Sequence, residues 1–191
     1  MVKKYLSYYC KEILHYELLI KLNFDSCLKF PYVEKCIVSL TSPDIILEED
    51  SLLPVLLVND WISCQRALST RIKKSVSLFK VVLFKNSEVG VKVTLRDDII
   101  YHFLDILYFC VLLNSQDFPK NFFLKNLENF DSSGNFSFSV SNVLKFPQFN
   151  LNISELFKVS PKTLLGFNVV LVFSFNNYKI SEIVLKFLQF C

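Results

Sequence analysis

Between residues 66 and 96 the chain carries eight basic side chains, Arg66, Arg71, Lys73, Lys74, Lys80, Lys85, Lys92 and Arg96, against one acid, Glu88. That segment is net +7, while 13 basic and 17 acidic residues leave the rest of the chain at −4. Hydroxyl residues run through it: Ser69, Thr70, Ser75, Ser77 and Thr94. These residue types together suit a phosphate-binding surface. Cations displace counterions from a polyanion, and hydroxyls hydrogen-bond phosphate and ribose oxygens. The plain alternative is a solvated face with clustered charge. Because the whole chain is only +3, the distribution rather than the total points to nucleic acid.

No comparable arrangement supports catalysis. Glu48-Glu49-Asp50 and Asp97-Asp98 are adjacent carboxylates, and sequence neighbours rarely converge on one substrate atom. A solvated loop accounts for the first run and an acidic helix start for the second. His15 falls in an amphipathic pattern and His102 in a mostly apolar one, where a packing or surface histidine is the simpler reading. No Gly-x-Ser-x-Gly nucleophile turn occurs. The three glycines, Gly90, Gly134 and Gly166, stand too far apart for a phosphate-cradling loop or a dinucleotide fingerprint. Asp131-Ser132-Ser133-Gly134 opens like a calcium loop but lacks the later bidentate Glu, so it reads as a turn. Cys10, Cys27, Cys36, Cys64, Cys110 and Cys191 show no metal-knuckle spacing and read as small core hydrophobes. No metal, no cofactor and no enzymatic activity are expected.

A scaffold must display the cations, and the chain has the means to build one. Its 191 residues fit one domain, 1–191, and 52% are hydrophobic, with 20 Phe against the single Ala67, which excludes disorder. The most apolar stretches, 52–58, 99–113 and 164–175, fall short of the roughly 20 residues a membrane helix needs, and the second holds His102 and Asp105. The N-terminus lacks signal or transit character.

Residues 3–22 place Leu6, Cys10, Ile13, Leu14 and Leu18 at helical spacing. Alternation over 32–40 predicts a strand, and 52–66 a helix with Pro54 in its first turn. Between Lys80 and Arg96, two apolar runs flank Lys85-Asn86-Ser87-Glu88, which predicts a β-hairpin with its tip there, beyond any core to bury against. A helix follows over 99–113 with Ile100, Phe103, Leu107 and Cys110 as its stripe. Residues 114–135 are polar and turn-rich, 136–140 alternate as a one-sided strand, and 167–175 read as a more buried one. Ser181 is placed as the cap of a terminal helix. The order α-β-α-β-β-α-β-β-α predicts an α+β fold: an antiparallel sheet with helices packed on one face and the other face exposed and polar as a working surface.

Several stretches match, in order, the motifs of one known family. Pro31-Tyr32-Val33-Glu34-Lys35 is similar to that family's Pro-Arg-Val-Glu-Lys strand. Residues 63–75, from Ser63-Cys64-Gln65-Arg66-Ala67 to Lys73-Lys74-Ser75, resemble its Gly-Gln-Lys-Pro…Thr-Lys-Ala-Arg-Lys-Ser segment. Gly90-Val91-Lys92-Val93-Thr94-Leu95-Arg96 repeats its Gly-x-Lys-Val-Thr-Leu-Arg strand. Phe130-Asp131-Ser132-Ser133-Gly134-Asn135-Phe136-Ser137 is similar to its Phe-Asp-Gly-Arg-Gly-Asn-Tyr-Ser turn, and Phe146-Pro147 and Leu165-Gly166-Phe167-Asn168 follow in family order.

Together these stretches resemble the universal ribosomal protein five of the large subunit, the 5S-rRNA-binding family, which implies a structural constituent of the large subunit's central protuberance and makes the exposed sheet face an RNA-binding face. Its implied partners are 5S rRNA where the ribosome has one, large-subunit rRNA, P-site tRNA and neighbouring proteins including small-subunit protein thirteen. Gln65 and Thr94 match family positions facing 5S rRNA, and Ser39 stands where the family has an Asn. With them, Arg66, Thr70, Arg71, Lys73, Lys74, Ser75, Lys80, Lys92 and Arg96 are expected to bind rRNA, and Lys85, Asn86 and Ser87 to contact tRNA. The turn-setting Gly and Pro of the family motif are replaced by Cys64 and Ala67, and the family turn's Arg by Ser133; the tip around Lys85–Glu88 is slightly longer than the family's and lacks its Pro, which implies a floppier loop. High apolar content and an AT-driven composition suggest a mitochondrially encoded copy, with a plastid copy second. Without the resemblance, the same plate would suit a free-standing RNA-binding or protein-interaction module.

Overall fold

The computed structural model describes residues 5–22, 30–41, 45, 52–78, 81–112, 129–149 and 166–188. Lys80, the Glu48–Asp50 run, Cys27, Cys191 and the stretch 113–128 lie outside them. Two compact units are present: Met1–Cys36 with Leu95–Phe138 and Val170–Cys191, and Ile37–Thr94 with Ser139–Val169.

Seven strands form among the described residues: β1 (Val33–Thr41), β2 (Leu68–Arg71), β3 (Val76–Leu78), β4 (Val81–Leu83), β5 (Glu88–Arg96), β6 (Phe136–Val140) and β7 (Phe167–Phe173). Five of them make one sheet in the order β2-β5-β1-β7-β6, and β3 and β4 make a separate pair. Strand ends fix the directions. β2 runs antiparallel to β5, and a Cβ on Gly90, early in β5, would meet Leu40 and Thr41 at the end of β1. Tyr32 before β1 bonds Ser174 after β7, and Gly166 before β7 abuts Val140 at the end of β6. The sheet is antiparallel throughout, as expected.

Alternation sorts its faces. Val91, Val93 and Leu95 of β5, Cys36, Val38 and Leu40 of β1, and Phe136, Phe138 and Val140 of β6 are buried. Lys92 and Arg96 of β5 and Ser137 and Ser139 of β6 are exposed, while Thr94 and Ser39 are half-buried.

In the unit containing the N-terminus, helix α1 covers residues 5–22 and has π geometry at Tyr9–Leu14. Its buried hydrophobic residues, Leu6, Cys10, Leu14 and Leu18, repeat every four. An α-helix advances that spacing about 40° too far per step, and the wider π turn reverses the drift. Ile13, expected in the stripe, is exposed instead. Helix α3, residues 98–112, has the same irregularity at Leu107–Leu112; it buries Val111, while Cys110, expected in the stripe, is half-buried. Helix α4 (Tyr178–Leu188) is capped by Asn177, whose Oδ1 accepts the Lys179 N–H at 3.1 Å. Ser181 is not the cap: it is buried inside the helix, with its hydroxyl donating to the Asn177 carbonyl. Leu6, Leu104, Leu107, Leu185 and Leu188 of these helices line one small apolar cavity with Leu171, so the helices share a core with the end of β7 that belongs to the same unit.

The other unit holds helix α2 (Leu52–Ser63), with Pro54 in its first turn as predicted. Trp61 lies against Phe149, and Phe146 against Phe167, ring to ring. The hairpin expected between Lys80 and Arg96 is not the one that forms. β4 pairs with β3, and β5 pairs with β2, two strands lying in what the sequence pattern presents as a cationic loop.

Candidate nucleic-acid interface

The end of α2 delivers the first interface residues. The Ser63 hydroxyl sits 2.7 Å from the Asn59 carbonyl and 2.9 Å from the Gln65 carbonyl, and accepts the Gln65 N–H at 3.3 Å. Cys64 then takes a left-handed backbone, φ 53°, the conformation that favours glycine at a helix C-terminus. The turn survives the loss of the family's Gly, with Cys64 exposed rather than core-forming. Asp60 accepts the Ala67 N–H, replacing the rigidity of the missing Pro with a hydrogen bond. Gln65 and Arg66 are left exposed on the connection into β2.

From there the chain forms one long antiparallel hairpin. Leu68 pairs with Lys92, Ser69 with Val91 and Thr70 with Gly90. A bulge between Thr70 and Arg71 resets the register so that Arg71 faces Glu88. The Ile72 N–H donates to the Ser87 carbonyl and the Asn86 N–H to the Ile72 carbonyl, each at 3.0 Å. Val76 then pairs with Leu83, and Leu78 with Val81. Residues 85–88 are therefore not the hairpin's tip, whose arms meet beyond Leu78 and Val81. Nor is their backbone loose. The Ser87 N–H and hydroxyl both donate to the Phe84 carbonyl, at 3.2 and 2.8 Å, and Asn86 adopts φ 72° in that turn.

The root of the hairpin is electrostatically closed. Arg71 donates through Nε and one terminal nitrogen to Glu88 Oε1, at 3.1 and 2.9 Å, and the Ser69 hydroxyl donates to the same oxygen at 2.9 Å. The Arg71 and Ser69 hydrogen bonds hold the Glu88 carboxyl below its usual range. Arg71, expected to bind rRNA, is thus engaged with the protein's own carboxylate.

Farther out, Lys73, Lys74, Ser75, Phe84 and Lys85 occupy the irregular stretch between the Ile72 and Val76 pairings, and all five are exposed. Phe84, which the sequence does not single out because its apolar run resembles a buried strand, is 71% exposed. On the solvent face of the sheet, Thr70 approaches Gly90, Lys92 lies opposite Leu68, and Thr94 and Arg96 continue along β5. Ser39 points to that same face from β1, the strand next to β5. Among the described residues, Arg66, Lys73, Lys74, Lys85, Lys92 and Arg96 make no ion pair.

The remaining titratable groups serve packing. Asp98 accepts Lys11 Nζ at 2.8 Å and Ser7 Oγ at 3.4 Å, so it ties α3 to α1 in addition to sitting in an acidic helix start. Asp105 is buried and accepts the Leu6 N–H at 3.3 Å; burial raises its pKa. Burial pushes the Cys36 thiol up to about 12, which removes thiolate chemistry. His15 stacks on Phe30 with ring centres 4.3 Å apart. Asp131 accepts the Ser132 N–H and the Ser133 hydroxyl within its own turn, closed by Gly134 at φ 80°. Among the described residues no His, Cys, Asp and Glu cluster could hold a metal ion, and no helix is long and apolar enough to cross a membrane.

Residues 88–190 match the model of the ribosomal L5 protein family C-terminus. Large ribosomal subunit protein uL5 of Borreliella afzelii is 30% identical over 183 residues, covering 95% of this chain and 93% of that protein. The uL5 of Streptococcus agalactiae is 31% identical over 166 residues, 87% of this chain and 85% of its own length. The uL5m of Reclinomonas americana is 27% identical over 179 residues, 94% and 92% of the two chains. The cationic one-sided sheet and these near full-length matches lead to one conclusion: the chain belongs to the uL5 family and is a structural, non-enzymatic constituent of the large ribosomal subunit.

Proposed function

We propose that the chain binds 5S rRNA, where its ribosome has one, and adjoining large-subunit rRNA in the central protuberance. The interface is the solvent face of the sheet with the α2–β2 connection: Ser39, Gln65, Arg66, Thr70, Lys92, Thr94 and Arg96, joined by Lys73, Lys74, Ser75 and Lys80. Arg71 would join them only by leaving Glu88. Lys85, Asn86 and Ser87 are proposed to meet P-site tRNA, and small-subunit protein thirteen to be a further neighbour. A mitochondrially encoded copy is the proposed origin, supported by the AT-driven composition and the mitochondrial relative from Reclinomonas americana. The observation that carries the interface is the set of exposed cations, without ion pairs among the described residues, beside the Thr94 and Ser39 hydroxyls on one sheet face.

Two measurements test it. The protein should co-sediment with large subunits through a high-salt gradient. In filter binding to a 5S rRNA transcript, Thr94→Val should weaken affinity while melting temperature stays put, because Val keeps the β-branched shape and loses only the hydroxyl. Unchanged affinity with intact folding moves the RNA face elsewhere.

A further inference from the structure

The irregular window in the hairpin has a composition that phosphate binding alone does not explain. Two fixed pairings bound it, Ile72 with Asn86 and Ser87 on one side and Val76 with Leu83 on the other. Between them lie three lysines, Lys73, Lys74 and Lys85, one hydroxyl, Ser75, and one aromatic ring, Phe84, all open to solvent. Single exposed apolar residues are ordinary on a protein surface. A Phe exposed by 71% and bracketed by lysines within a few residues of backbone is a different object. The backbone beneath the ring is also fixed. The Phe84 carbonyl accepts both the N–H and the hydroxyl of Ser87, so the backbone that carries the ring is anchored at the turn.

We infer that Phe84 is a stacking platform for an unpaired nucleobase, with Lys73, Lys74 and Lys85 holding the phosphates on either side of it. The inference rests on the RNA-binding reading and adds a recognition mode to it. The sheet face is a plate of hydroxyls and cations suited to a sugar–phosphate backbone, whereas the window selects RNA with an exposed base. A duplex presents its bases edge-on and stacked, so Phe84 has no ring to meet there. A loop, bulge or single-stranded overhang offers one. The three lysines argue for a polyanion rather than for an apolar protein partner, since no acidic side chain among the described residues pairs with them.

The test uses the full chain and two RNA probes: a stem–loop with unpaired loop bases and a blunt duplex of equal length. Phe84→Ala should weaken stem–loop binding by about tenfold and leave duplex binding and the salt slope unchanged. Lys73→Ala with Lys74→Ala should weaken both probes and lower the slope of log affinity against log salt by about 0.7–0.9 for each phosphate no longer neutralised. Phe84→Trp should retain stem–loop affinity, with its added indole fluorescence quenched on binding, whereas Phe84→Leu should behave like Phe84→Ala. If Phe84→Ala is neutral on both probes while the lysine pair still sets the salt slope, the platform is overturned and the RNA surface stands. If neither probe binds with any salt dependence, the RNA reading itself fails.

Discussion

The long hairpin has two zones that share a sequence composition and differ in what their charges do. At its root, Arg71 and the Ser69 hydroxyl converge on one oxygen of Glu88, and the Ile72 backbone is bonded on both sides to residues 86 and 87. A few residues farther out, Lys73, Lys74 and Lys85 stand exposed and pair with no acid among the described residues. Counted along the chain these are four equivalent cations. In the fold, one holds two strands in register across a bulge and three remain open to a ligand. A basic stretch therefore overstates its binding capacity by the number of cations that its own acids engage. Here the single acid, Glu88, lies opposite Arg71 because the bulge places it there.

The contrast is broken most forcefully at the root's packing. A Cβ on Gly90 would lie 2.7 Å from Thr41 Cγ2 and 2.8 Å from the Leu40 carbonyl, so β5 and β1 would have to part. Overpacking of this kind costs about 1–3 kcal/mol, more than Ala's better strand behaviour returns. Gly90→Ala should lower unfolding free energy by about 2 kcal/mol in urea titration, and RNA affinity should fall through loss of the folded plate. Stability equal to that of the unchanged protein would show that the strands yield freely and the root is not rigid.

A second substitution sharpens the comparison in the opposite direction. Cys64 holds φ 53°, and a left-handed L-residue costs about 1–2 kcal/mol, a strain that Gly relieves while giving back part of the gain as unfolded-state entropy. Cys64→Gly should stabilise the protein by about 0.5–1 kcal/mol in thermal or urea unfolding. RNA affinity should hold, because Gln65 and Arg66 are delivered by the same turn. A loss of stability would mean that the thiol packs in a way its exposure does not suggest.

Much of this is legible in the residues, and the reasons differ from element to element. Val91, Val93 and Leu95 against Lys92, Thr94 and Arg96 mark β5 and its two faces, since period-two alternation survives wherever one face is buried. Pairing is harder. The polar run Lys85–Glu88 looks like a tip between two apolar runs, yet the true arms meet beyond Leu78 and Val81, because backbone partners are chosen by register rather than by local polarity. Leu68–Arg71 does not announce itself as a strand because its side chains are exposed or half-buried, leaving no alternation to read. In α1 a π turn keeps Leu14 and Leu18 buried and leaves Ile13 exposed, and a pattern fitted to 3.6 residues per turn cannot anticipate that. Charge and family motif mark out the candidate site. Arg71's engagement and Phe84's exposure need the fold.

The smallest effect separates the two zones most cleanly, and it lies in Arg71 and Glu88 themselves. The pair is largely exposed, so it contributes at most about 1 kcal/mol. Its pH signature is nevertheless directional. Glu88's folded pKa is depressed, chiefly by the Arg71 hydrogen bond and then by Ser69, so the folded state favours the ionised form. Its contribution is present above the unfolded carboxylate value of about 4.3 and is lost as pH falls through the lower folded value. Glu88→Gln should therefore leave stability almost unchanged in strong acid and lower it slightly at neutral pH. RNA binding should respond the other way. Arg71→Ala alone should leave the salt slope of RNA affinity where it was, because the guanidinium is already held by a carboxylate. In a Glu88→Gln background Arg71 is released, affinity should rise, the slope should steepen by about 0.7–0.9, and adding Arg71→Ala should reverse both changes. A slope that drops on Arg71→Ala alone would show that RNA phosphate displaces Glu88 and that the root, like the window, belongs to the ligand.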